Sequence, residues 1–192
     1  MRMPKLFGCI LSLFLATGAA WAAEDAAWSF GTSRARITPK ELFWMGGFAA
    51  RTRPAEGTLD DLWVKALALR APDGGVTVIV TADLVGIPKW MYEAVVSRLQ
   101  REHSLDRSRI LMATSHTHSG PVLRDALQDI YPLDEPQRKL IAKYSDWLAE
   151  PIVATVGEAM ARRSPARLWA GEGQATFALN RLAAWKKRLE ET

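Results

Sequence analysis

The hydrophobic residues of this chain recur at different spacings, and each spacing predicts a different kind of element. Residues 110–113 are continuously apolar, which predicts a strand buried on both faces. Residues 62–69 alternate loosely, Pro72-Asp-Gly-Gly75 supplies turn chemistry, and 76–82 is again apolar, so the two runs predict a β-hairpin. Met91, Ala94, Val95 and Leu99 recur at helical spacing between Pro88, which suits a first turn, and Glu102. A longer helical stripe runs through Leu140, Ile141, Tyr144, Leu148, Ile152, Val156 and Met160. It follows Asp134, which with Gln137 resembles a capping box, and Pro136 stands in its first turn. Pro151 is expected to kink or divide that helix, and Arg162-Arg163 suits its C-terminus through the macrodipole.

Weaker signals fill the gaps. Residues 23–32 read as a leader to the mature chain, 34–37 as a short strand before Thr38-Pro39, and 41–53 as a Gly-rich aromatic loop. Residues 122–132 read as a loop or short helix, and Pro165 ends the long helix. Residues 167–170 and 175–179 read as further strands around Gly171 and Gly173. The sum is an α/β fold, a mixed sheet with packed helices, in which a hairpin precedes a strand–helix–strand crossover expected to be right-handed. Nothing repeats and no low-complexity linker marks a second domain.

Composition changes this picture mainly at the N-terminus. Arg2 and Lys5, the apolar run 6–16 and Ala20-Trp-Ala22 have the form of a secretory signal cleaved after Ala22, too short and wrongly flanked for a stable transmembrane helix. Export, to periplasm or medium, is the expected localisation. Cys9 is the only cysteine and would leave with the signal, so the mature chain must rely on its core rather than on cross-links. Removing Arg2 and Lys5 leaves 23 of the 25 basic residues against 21 acidic ones, so the formal charge of +4 overstates the basicity of the mature chain. No basic stripe interleaved with aromatics supports nucleic-acid binding.

The candidate chemistry lies in Arg109-Ile-Leu-Met-Ala-Thr-Ser-His-Thr-His-Ser-Gly-Pro121. His116 and His118 follow the apolar run directly, at the C-terminal strand end where open α/β sheets place ligands, and Gly120-Pro121 ends regular structure there. If the backbone stays extended, a period of two points both rings to one side. Such a pair can supply two zinc ligands, or one ligand and one proton carrier; the competing view is two histidines merely hydrogen-bonded at a strand end. Ser115, Thr117 and Ser119 could orient the rings. Asp83, at the end of the hairpin's second strand, reads as a cap or turn residue ahead of a third ligand. Trp44, Phe48 and Arg51 could line a site, but the two aromatics read first as packing, Arg51 and Arg53 as solvated ahead of substrate-binding, and His103 as a solvated residue at a helix end.

The stretch Ser115-His-Thr-His-Ser-Gly-Pro121 resembles the signature of the neutral/alkaline (non-lysosomal) ceramidase family, Thr-His-Thr-His-(Ser/Ala)-Gly-Pro at the end of a core strand. Met45-Gly-Gly-Phe-Ala49, residues 62–69, Val76-Thr-Val-Ile-Val-Thr-Ala-Asp83 and Ala178-Leu-Asn-Arg181 are similar to other family segments in the same order. The resemblance spans roughly residues 30–181, and its specific part is the histidine motif. It implies a Zn2+ amidase that hydrolyses ceramide to a sphingoid base and a fatty acid, with His116 as a zinc ligand and His118 as a catalytic group contacting substrate or the tetrahedral intermediate. A catalytic zinc site takes three or more protein ligands. The family's others, a His, a Glu and a Tyr, come from segments after the Asn-Arg region, whereas the histidines here are His103, His116 and His118. The expected organisation is therefore a signal peptide over 1–22, a partial ceramidase-like domain over 23–181 and a charged non-family tail over 182–192. The partner is a ceramide-like N-acyl lipid, with peripheral contact to membrane lipid and no evident protein partner, and the chain alone is expected to be inactive. The alternative is an exported non-catalytic lipid- or ligand-binding domain on the same half-fold.

Overall fold

The computed structural model describes residues 28–177 and 180–190, so the expected signal peptide and residues 23–27 lie outside the described residues. Its centre is a mixed sheet in the order β4-β3-β2-β1-β5. β1 (Ser29–Arg36), β2 (Trp63–Arg70) and β3 (Val76–Ala82) form an antiparallel meander, and β4 (Ile110–Thr114) pairs with β3 in parallel after the α1 (Lys89–His103) crossover. α2 (Glu135–Ala161) lies across β1 and β2 and against α1, a mixed α/β fold of the expected class.

One face of the sheet makes the core. Val64, Ala66 and Ala68 of β2 and Val78, Val80 and Ala82 of β3 are buried with Met91, Val95, Val96 and Leu99 of α1 and Ile141, Leu148, Ile152 and Val156 of α2. Burying a side chain of this size contributes about 1.5–3 kcal/mol, which is why the long stripe predicted from sequence becomes the packing surface of α2. Tyr144 is buried with that stripe, its hydroxyl donating to the Ile37 carbonyl, and burial pushes its phenol well above the ordinary tyrosine range.

Several expectations change here. The apolar run 110–113 is not buried on both faces: β4 is an edge strand, its burial alternates, and Leu111 is 57% exposed while Ile110 faces the core. Among the described residues the helices α1 and α2 pack on the Ile110 side of the sheet, and the Leu111 side of the run is left exposed. β1 begins at Ser29, inside the expected leader, because Gly31 and Ser33 are the residues that face α2. A Cβ at Gly31 would stand 2.1 Å from the Ala159 carbonyl oxygen, and Ser33 Oγ donates to Glu158 at 2.7 Å. Small or polar inward positions carry no hydrophobic signal. The strands expected at 167–170 and 175–179 do not form among the described residues; β5 (Ser164–Pro165) is a two-residue pairing on β1, and residues 166–177 have no regular structure. Trp169 and Phe177 there are exposed, so no burial holds those residues extended. Residues 178–179 lie outside the described part.

α2 is not divided at Pro151, and Thr155 Oγ1 donates to the Pro151 carbonyl inside the helix. Asp134 caps α2 by accepting from the Gln137 N–H at 2.8 Å, but Gln137 Oε1 is buried without a hydrogen bond, so the capping box is half made. His103 is half-buried rather than solvated, with its ring against α2 where a Cβ on Gly157 would meet it at 2.9 Å. The charged end forms α3 (Arg181–Glu190). Among the described residues no helix is long and apolar enough to cross a membrane.

Candidate active site

β4 delivers the histidine loop but does not carry it. The parallel register continues one residue past the strand, where Ser115 N–H donates to the Ala82 carbonyl at 3.0 Å, and then His116 turns into the left-handed region at φ +56°. The extended-backbone route to two rings on one side therefore fails. The rings still meet, edge to face, with centroids 5.0 Å apart.

His116 is oriented by the main chain. Its Nδ1 lies 2.7 Å from the Val85 carbonyl, and a carbonyl only accepts, so Nδ1 holds the proton. The neutral ring then has its lone pair on Nε2, the state a metal-ligating histidine takes when a main-chain acceptor fixes its tautomer. Of the neighbouring hydroxyls that could orient the rings, Thr117 Oγ1 accepts from the Ser119 N–H at 3.2 Å.

His118 is set by a different part of the chain. Its ring lies on Gly47, where a Cβ would come within 2.4 Å of Cγ, and it meets the Phe48 ring edge-on at 4.8 Å. Gly47 itself has φ +83°, so glycine is required there both by conformation and by the imidazole above it. The loop bearing these residues is bonded to the histidine loop by Gly46 N–H to the Gly120 carbonyl and Val122 N–H to the Trp44 carbonyl, both 2.8 Å. Tyr131 adds a buried hydroxyl that donates to the Gly47 carbonyl at 2.9 Å.

Other residues sort clearly. Trp44 is packing, as expected, buried against Tyr131 with ring centroids 5.5 Å apart. Asp83 is a cap, accepting from the Trp63 N–H at 3.0 Å, and is not gathered with the histidines. Arg53 pairs with Glu56 in solvent. Arg51, expected to be solvated, is instead half-buried and donates to the His118 and Gly47 carbonyls at 2.6 and 3.1 Å. Beside it a cavity of about 490 Å³ is lined by Phe43, Met45, Leu62, Thr117 and Ser119 among others. Sequence reasoning missed Tyr131 and Val85. The Val85 carbonyl carries no side-chain signal, whereas the Gly46-Gly47 pair is a signal from which the close approach of the His118 ring could have been read.

For a metal, the chemistry of the donor set fits in part. His116 presents one correctly oriented nitrogen and His118 a second imidazole close by, yet no group of three or more His, Cys, Asp or Glu side chains is gathered among the described residues.

No family model matches the sequence. Comparison with known proteins nonetheless gives the class, a partial ceramidase-like α/β domain. The chain is 27% identical over 175 residues to the neutral ceramidase of Pseudomonas aeruginosa (strain PAO1), covering 88% of this chain and 25% of that one. It matches the crystal structure of the neutral ceramidase from Pseudomonas aeruginosa with a TM-score of 0.60 and 25% identity over 72% of this chain and 22% of that one. A ceramidase complexed with C2 gives 0.58 at the same identity and coverage. The chain thus spans about a quarter of the length of the curated relative it matches.

Proposed function

We propose that this chain carries the histidine-bearing part of a zinc-dependent amide hydrolase acting on a ceramide-like N-acyl lipid. The observation that supports it best is the His116 Nδ1 bond to the Val85 carbonyl, which leaves Nε2 as a ready metal donor with the His118 ring 5.0 Å away. On this reading His116 is a zinc ligand and His118 the catalytic imidazole that faces substrate. Zinc, when bound, lowers the pKa of its water and polarises the scissile carbonyl. The chain's own contribution is orientation: the Val85 carbonyl fixes His116, the Gly47–Phe48 slot fixes His118, and exposed Phe48 offers an apolar contact beside them. Residues 1–22 act as an export signal, with 23–181 as the ceramidase-like domain and a charged tail beyond.

The test is metal content by mass spectrometry beside hydrolysis of a fluorescent ceramide. We expect weak zinc binding and no turnover from this chain alone, because two imidazoles fall short of a catalytic zinc site. In a completed, full-length form His116→Ala should abolish zinc binding, His118→Ala should retain zinc but lose turnover, and His103→Ala should change neither. Full zinc occupancy in His116→Ala would refute the assignment. Robust zinc-dependent turnover by the wild-type chain would refute the view that its site is partial.

A further inference from the structure

We infer that Arg51 is the positioning residue for His118. The role of His118 rests on the function proposed above; the placement of its ring does not. β4 cannot place that ring, because the chain leaves the extended conformation at His116. Besides the His116 ring, what touches the His118 ring is the other loop, Gly47 beneath it and Phe48 at its edge. Phe48 is 64% exposed and has φ +58°, a conformation that a bulky L-residue holds only when its surroundings impose it.

Arg51 supplies that imposition from one planar group. Nε donates to the Gly47 carbonyl, Nη2 donates to the carbonyl of His118 itself, and Cζ sits 5.4 Å from the centroid of the Phe48 ring. One guanidinium thus ties the floor of the slot, its wall and the main chain of the residue inside it. A lysine carries the same charge but has neither the fork nor the planar face. The charge of Arg51 is directed at two carbonyls, unlike that of Arg53, which faces Glu56 in solvent.

The experiment is NMR on the full chain, reading the NOE between the Phe48 and His118 rings and the ring-current shift that Phe48 imposes on the His118 ring protons. The wild type should show both. Arg51→Ala should lose both while the His103 ring signals and the circular dichroism spectrum stay unchanged. Arg51→Lys should lose them as well, which a purely electrostatic or general stabilising role would not produce, and it decides the matter if Arg51→Ala fails to fold. Persistence of the NOE in folded Arg51→Ala, wild-type behaviour of Arg51→Lys, or absence of the NOE in the wild type would each overturn the inference. Neither readout involves zinc or turnover, so its failure is distinguishable from failure of the proposed function.

Discussion

In the β2–β3 hairpin each backbone bond joins neighbours in register, from Val64 opposite Ala82 to Arg70 opposite Val76, whereas the loops around His118 add to one short backbone bridge side chains that reach across the fold. Arg51 reaches His118 over 67 positions and Tyr131 reaches Gly47 over 84. The hairpin is redundant, since losing one ladder bond leaves the rest and the buried face of Ala66, Ala68, Val78 and Val80 intact. The loops have a two-bond bridge at Met45 and Pro121 in place of a ladder, and each long-range side-chain contact does a separate job. The body should therefore fail as a whole, and the loops should fail one contact at a time.

Substitutions can break or sharpen that contrast. The largest effect is expected in the body: Leu148 on α2 is fully buried, so Leu148→Ala should cost about 2–5 kcal/mol. In thermal melts that appears as a drop on the order of 5–15 °C for a domain of this size, with all probes moving together. Gly47→Ala comes next, combining positive φ with a Cβ placed against the imidazole. We expect a cost of about 1–3 kcal/mol in urea titration and loss of the Phe48–His118 NOE, while signals from the hairpin stay in place. If the hairpin shifted as much as His118, the loops and body would be one cooperative unit and the contrast would fall. The smallest effect is reserved for Arg53→Ala, which removes an exposed pair with Glu56 and should change stability by about 0.5 kcal/mol or less. Displacement of the His118 ring in that variant would show that net loop charge, rather than the Arg51 fork, holds the site.

The same contrast governs what could be read from the sequence. The hairpin, α1 and the long face of α2 were legible because repeated burial on one side leaves a periodic trace. β1 was half legible, since its inward residues Gly31 and Ser33 fit closely under α2 without being hydrophobic. Residues 110–113 suggested two covered faces because an edge strand can be as apolar as a central one, and nothing local says on which side a second layer is missing. His116 and His118 were legible as a motif, but their geometry was not. It depends on the Val85 carbonyl and on Arg51, whose role emerges only when the chain folds back 67 positions. Among the described residues the strands expected at 167–170 and 175–179 do not form, since exposed Trp169 and Phe177 gain nothing from extension.

The parallel pairing of β4 also bears on the order in which this chain folds. β2 and β3 meet across the short turn at residues 71–75, but β1 reaches β2 only across residues 37–62, and β4 reaches β3 only after the whole of α1 has been laid down between Ala82 and Ile110. Joining distant segments costs more chain entropy and is the slower event. The histidine loop hangs from β4 and closes on the loop between β1 and β2, so it joins segments far apart in the chain. On this topology the environment around His118 is expected to be among the last to become native in refolding, well after the hairpin has formed.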